Sequence, residues 1–171
     1  FLFLILFSGS LFSQDENYNS QVNKLLEEVN SLSIKEKEKR DSILHAAVKI
    51  AEVHCSDSLV SSIYVDIAKN YKNMSMHDST VVYYNKALKS LPENQSKYYL
   101  KSKIYQSWSD LKNYLGQKDS TIYYLDLALL NARTVQDSGL IIGIMSDMAR
   151  FNSNNNKIKD AITLLQSVKE Y

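Results

Sequence analysis

The residues of this chain best suited to chemistry are a histidine and the only cysteine, side by side. His54 precedes Cys55, and His45 lies nine residues upstream. A thiolate beside an imidazole suits nucleophilic catalysis, and His with Cys suits zinc. Zinc needs three or four ligands at suitable spacing, and only two are local, with no second cysteine in a Cys-x₂-Cys pattern. On a helix, adjacent residues point about 100° apart, so His54 is badly aimed as a base for Cys55. Cys55 therefore reads as a partly buried residue near a helix end. His77 reads as a surface turn residue. No Gly-rich phosphate loop, Ser-His-Asp set or metal constellation is present. The chain itself reads as non-catalytic, with no cofactor. A lone cysteine allows no internal disulfide.

A second set of candidates is the phrase Asp-Ser-Thr, written at 78–80 and again at 119–121. Isolated, each copy offers a carboxylate and two hydroxyls. Their context shows a different role. "SSIYVDIAKNYKNMSMHDST" (61–80) falls on "SKIYQSWSDLKNYLGQKDST" (102–121) without a gap, at a shift of 41. Ser61/Ser102, Ile63/Ile104, Tyr64/Tyr105, Tyr83/Tyr124, Ala87/Ala128 and Leu88/Leu129 are further identities. "GIMSDMARFNSNNNKIKDAITLLQSV" (143–168) is a more diverged copy at a shift of 40, and "RDSILHAAVKIAEV" (40–53) a partial one, with Ala47 preceding Ala87 by 40. A period near 40 with helical texture predicts stacked supersecondary units, none able to bury its face alone.

Each unit reads as two helices. Ile63, Ile67 and Tyr71 recur at spacing 4, with Tyr64 and Ala68 alongside. Val81, Tyr84, Ala87, Leu88 and Leu91 share one side of the following helix, and Pro92 stops it. Asp78 or Ser79 is expected to cap that helix. Ser33 and Glu36 form a capping box, and Asp57 and Asp137 mark the starts of first helices. "KEKEKRD" (35–41) alternates in sign and reads as a solvated face. Four glycines and one proline in 171 residues leave few tight turns. The expected fold is all-α, an α-solenoid of stacked antiparallel helix pairs with repeats near 20–56, 57–97, 98–136 and 137–171. Net charge is +1 from 20 basic and 19 acidic residues, without the basic excess of a nucleic-acid binder.

The unit resembles the tetratricopeptide repeat, whose pattern is W-x₂-L-G-x₂-Y, then A-x₃-F, then P. Tyr64, Ile67, Ala68 and Tyr71 stand at the first positions, followed by Thr80, Tyr84, Ala87 and Pro92. The next copy keeps Tyr105, Trp108 and Ser109 but has Lys112 and Leu125 where aromatics are expected. The last keeps Met145, Met148, Ala149, Ala161, Leu165 and Val168. The resemblance implies a right-handed superhelix whose concave wall is lined by first helices. Its inward positions are Ser62, Val65, Lys69, Lys72 and Asn73, then Lys103, Gln106, Asp110, Asn113 and Tyr114, then Ser146, Arg150, Ser153 and Asn154. Among these, Lys69, Lys72, Asn73, Lys103, Gln106, Asp110, Asn113 and Arg150 form the candidate peptide groove. Its cations suit a carboxylate through charge-assisted bonds.

The chain opens on "FLFLILF" (1–7) followed by "SGSLFSQ" (8–14), which reads as the remnant of a secretory signal peptide over 1–13, cleaved after Ser10 or Ser13. Seven apolar residues fall short of the roughly 20 that span a bilayer. Export to the periplasm or envelope is therefore expected. The sequence is similar to the extracytoplasmic repeat regions of bacterial signalling proteins, histidine kinases or helix-turn-helix regulators. That implies a protein- or peptide-binding scaffold, with the extracytoplasmic half of a sensor histidine kinase whose catalytic domain lies beyond residue 171 as an alternative. An envelope assembly factor is the other expectation. The run of Ile162, Leu165 and Val168 on to Tyr171 suggests further repeats at the same spacing.

Overall fold

The computed structural model describes the backbone of residues 2–92 and 95–168, and side chains from residue 17 onward within these. Among the described residues there are eight α-helices: α1 (Leu2–Ser31), α2 (Lys37–His54), α3 (Asp57–Asn73), α4 (His77–Lys89), α5 (Ser96–Tyr114), α6 (Lys118–Val135), α7 (Ser138–Asn154) and α8 (Ile158–Val168). They form two compact units, Phe1–Leu91 and Pro92–Tyr171. In the first, α1 packs on α2, α2 on α3 and α3 on α4. In the second, α5 packs on α6, α6 on α7 and α7 on α8. The fold is all-α, with neighbouring helices paired in the manner of a solenoid. The expected leader over 1–13 has its side chains outside the described residues, and its described backbone is continuous with α1.

Three hairpin turns repeat one geometry. Ser75, Gly116 and Asn156 take left-handed φ values of 58°, 71° and 62°, at successive spacings of 41 and 40. Each turn also repeats a hydrogen-bond pair. Ser75 N–H donates to Lys72 O and Met76 N–H to Tyr71 O. Gly116 N–H donates to Asn113 O and Gln117 N–H to Lys112 O. Asn156 N–H donates to Ser153 O and Lys157 N–H to Asn152 O. The second bond of each pair closes the last helical carbonyls in the six-to-one fashion of a Schellman ending.

This geometry moves the expected caps. The left-handed residue is followed by one residue before helix resumes, so α4 starts at His77 and α6 at Lys118. Asp78, Ser79, Asp119 and Ser120 thus lie inside the first turn, and neither helix has a side-chain cap bond. The two aspartates still place negative charge at the positive end of the helix dipole. Thr80 and Thr121 donate back to Met76 O and Gln117 O at 3.0 and 2.9 Å. Asp137 does cap α7, accepting from Leu140 N–H at 2.8 Å. At Ser33, half of the expected box forms: Glu36 Oε2 accepts from Ser33 N–H at 2.9 Å, while Ser33 Oγ accepts from Lys35 N–H. It closes the turn ahead of α2.

The small positions lie where helices touch. Ala47, Ala87 and Ala128 are fully buried. Ser61 Oγ donates to Ala87 O at 2.9 Å, and Ser102 Oγ donates to Ala128 O at 2.8 Å. A hydroxyl can reach that carbonyl only because no larger side chain separates the two backbones. In the second unit, Leu125, Leu129 and Ala132 of α6 meet Leu140, Ile141, Ile144 and Met145 of α7 in one core cluster.

The first unit holds a tie with no counterpart in the repeat pattern. Arg40 is buried and donates to Val29 O at 2.6 Å, Leu32 O at 2.7 Å and Asn70 Oδ1 at 2.8 Å. One guanidinium thus satisfies carbonyls at the end of α1, complements its dipole and reaches α3. Nearby, Tyr71 donates to Asp41 Oδ1 at 2.6 Å and Tyr64 to Glu52 Oε1 at 2.5 Å. Burial raises both phenols, and the carboxylates they face raise them further. The bond from Tyr64 and the neighbouring Lys86 hold the Glu52 carboxyl below its usual range.

Candidate functional site

The candidate groove residues divide between the two units. Lys69, Lys72 and Asn73 lie on the last turns of α3. Lys69 Nζ pairs with Asp66 Oδ1 at 3.1 Å, one turn back on the same helix. Lys72 is half-buried and Asn73 exposed. The remaining candidates lie in the second unit, on α5 and α7.

There the structure brings most of them together. Gln106 Nε2 of α5 donates to Asp147 Oδ2 of α7 at 2.7 Å, which fixes these two first helices side by side. Above this rung lies a depression lined by Tyr99, Lys103, Gln106, Gly139, Leu140 and Gly143. Gly143 borders open space, since a Cβ built there meets nothing within 4 Å. Lys103 Nζ lies 5.9 Å from the centre of the Tyr99 ring. Below the rung lies a narrow cleft of about 20 Å³ lined by Ser109, Asp110, Asn113, Asp147, Arg150 and Asn154, with Thr121, Leu125 and Phe151 also bordering it. Asn113 and Asn154 each present a carboxamide that donates and accepts.

The electrostatics are less basic than the cations alone imply. Arg150 Nη2 pairs with Asp147 Oδ1 at 2.5 Å, so Asp147 receives a guanidinium on one oxygen and an amide on the other. Asp110 adds a second carboxylate to the same cleft. The wall between α5 and α7 is therefore polar and of mixed sign. Asp147 is the residue of this wall that sequence reasoning missed. It falls between Ser146 and Arg150, which were both assigned inward, and its (i, i+3) spacing to Arg150 was the available signal.

The residues first considered for chemistry do not converge. His54 stacks on Tyr18, with ring centroids 3.8 Å apart and planes 6° apart. Cys55 is the residue that ends α2. Among the described residues no three His, Cys, Asp or Glu side chains gather as a metal site would require. Also among the described residues, no helix is long and apolar enough to cross a membrane.

No protein-family model matches the chain, and no curated protein matches it. Among solved structures it is similar to BtubC (BKLC) from P. vanneervenii, at 13% identity and a TM-score of 0.62, over 91% of this chain and 73% of that one. At that identity the likeness concerns the fold alone. It is a likeness between helical, repeat-like proteins.

Proposed function

We propose that this chain is a non-catalytic helical-repeat scaffold of the tetratricopeptide type that grips a peptide or protein segment on the wall between α5 and α7. The observation that carries this reading is the convergence of Gln106, Asp110 and Asn113 with Arg150 and Asn154 on one side of two adjoining first helices. Two shallow, open depressions with carboxamides and charges of both signs suit an extended chain. Such a chain presents alternating backbone donors and acceptors that the carboxamides and charges of this wall can meet. Peptide recognition on preformed elements works this way: main-chain bonds supply affinity and side-chain pockets supply specificity. The reading includes export, from the apolar start of the sequence, and service as the input region of a bacterial signalling protein. It assigns no nucleic-acid partner and no cofactor.

The test is a displayed random-peptide library panned on the full chain. The expected outcome is an enriched peptide family whose affinity falls about tenfold in Asn113→Ala/Asn154→Ala. No enrichment, or enrichment indifferent to both asparagines, contradicts the proposal. Separately, fractionation of the native cell tests export: the chain recovered in the cytoplasm with "FLFLILF" intact removes that element and leaves the groove standing.

A further inference from the structure

The two depressions of the α5/α7 wall differ in what they can hold. The upper one measures about 240 Å³ and the lower about 20 Å³. A cavity of about 10–15 Å³ takes one water, and one of about 150 Å³ takes benzene. The lower cleft therefore admits a water and no side chain, while the upper depression admits a ring. The two helices explain the difference. Gln106 and Asp147 meet side chain to side chain. One turn above them, Lys103 of α5 and Gly143 of α7 take their places, and a turn higher stand Tyr99 and Gly139. Neither glycine sends a side chain into the space that Tyr99 and Lys103 border, and a Cβ at Gly143 meets nothing within 4 Å.

The lining selects a chemistry. Lys103 brings a positive charge to the depression and Asp137 a negative one. Asp137 uses Oδ1 to accept from Leu140 N–H at 2.8 Å, and its second oxygen can still accept. An acidic group would be repelled by Asp137, and a basic group by Lys103. A neutral group that both donates and accepts suits the two together. Ser, Thr, Asn, Gln, neutral His and Tyr do so. Tyr99 is 41% exposed, and Lys103 Nζ lies 5.9 Å from its ring centre. An exposed ring favours a second ring, offset or edge-on. Of the neutral donor–acceptors, tyrosine alone brings a benzene-sized ring to fill the volume.

We propose that the upper depression is the specificity pocket of the peptide wall and takes a tyrosine side chain of the bound segment. The phenol lies between Lys103 and Asp137, and the ring lies against Tyr99. This rests on the peptide reading above and names its anchor. A site that hydrogen-bonds a hydroxyl discriminates against the analogue that lacks it, so phenylalanine is the poorer anchor.

The probes are N-acetyl-tyrosinamide and N-acetyl-phenylalaninamide, titrated into the isotopically labelled full chain. The backbone amides of Gly139 and Gly143 are followed by NMR. Both should shift saturably with the tyrosine amide, and the phenylalanine amide should bind at least roughly fivefold more weakly. Gly143→Leu fills the open space and should abolish the shift at Gly139. It should keep the helical content, since glycine is the poorer helix former. Lys103→Met keeps the aliphatic stem and removes the charge. It should lower the tyrosine affinity toward the phenylalanine value and leave the latter unchanged, a change of ratio that a folding defect does not produce. No saturable shift at either glycine, equal affinity for the two amides in wild type, or undiminished binding by Gly143→Leu overturns the anchor. Panned peptides that depend on Asn113 and Asn154 yet share no tyrosine also overturn it, and leave the wall standing. Saturation by the tyrosine amide without any enriched peptide keeps the tyrosine site and removes the peptide wall.

Discussion

The α3–α4 and α5–α6 pairs are two copies of one phrase, and they keep some contacts while relocating others. Both retain the serine hydroxyl bonded to the carbonyl of the buried alanine, and both retain the left-handed turn residue. The aromatic contact moves. In the first pair, Tyr71 stacks on Tyr83 with centroids 5.2 Å apart. In the second, Lys112 occupies the position of Tyr71, and Trp108, one turn earlier, stacks on Tyr124 at 5.0 Å. The backbone-to-backbone approach allows only a small side chain at one place. Volume between the helices can be filled from either turn, as packing tolerates relocation when total volume is kept. What also differs is the surrounding: the first unit adds the Arg40 tie and carboxylate partners for its tyrosines, and the second adds the Gln106–Asp147 rung.

The largest expected effect breaks that difference. Arg40→Ala removes three charge-assisted bonds and takes the guanidinium from Leu32 O and from Asn70 Oδ1 on α3, at a cost of about 3 kcal/mol. Hydrogen exchange should rise across residues 29–73 and stay unchanged across 96–154. Equal protection in the variant and wild type would show that the first unit does not depend on this tie.

The next effect tests what the copies share. Ala87→Phe and Ala128→Phe overpack fully buried positions, costing about 1–3 kcal/mol each. Thermal melts check this, and an unchanged melting temperature at either site would remove it from the helix contact. Smaller again, Ser61→Ala and Ser102→Ala should each cost about 1 kcal/mol, with the two values alike. Unequal values would mean that the shared hydrogen bond does different work in the two copies.

The smallest effect at neutral pH concerns the tyrosines. Tyr71 has a folded-state pKa raised above its ordinary value near 10, by burial first and then by Asp41. A phenol raised in this way contributes stability that is fully present below pH about 10 and is lost as pH climbs above it. Alkaline titration should therefore open the first unit, and Tyr71→Phe should flatten that loss. An alkaline profile identical in Tyr71→Phe and wild type would contradict the assignment. Glu52 runs the other way: its depressed carboxyl contributes above its unfolded pKa, and that contribution fades as pH falls through the folded value.

Much of the architecture was readable because it is local and periodic. The stripe of Ile63, Ile67 and Tyr71 and the 41-residue echo require no knowledge of distant contacts. The start of α4 was misplaced by two or three residues, because Ser75 is a non-glycine residue in a left-handed conformation and gives no strong sequence signal. Arg40 was hidden inside "KEKEKRD", whose alternating charge suggests solvent. Its partners lie 8, 11 and 30 residues away, beyond any pattern of spacing. In the site, the inward positions of α5 and α7 were those implied by the tetratricopeptide resemblance. Their charge balance was not, because Asp147 turns toward Gln106 and Arg150 only once α5 and α7 lie side by side.

The peptide wall between α5 and α7 is the account's central claim, and side-chain amide NMR tests it most directly. An isotopically labelled chain is titrated with a peptide selected by panning, and the carboxamide signals of Asn and Gln are followed. The account predicts that Gln106, Asn113 and Asn154 shift with the same saturation curve while Asn85 on α4 and Gln166 on α8 stay still. Shifts at Asn85 or Gln166 with Asn113 and Asn154 unmoved would contradict it and place the ligand elsewhere on the molecule.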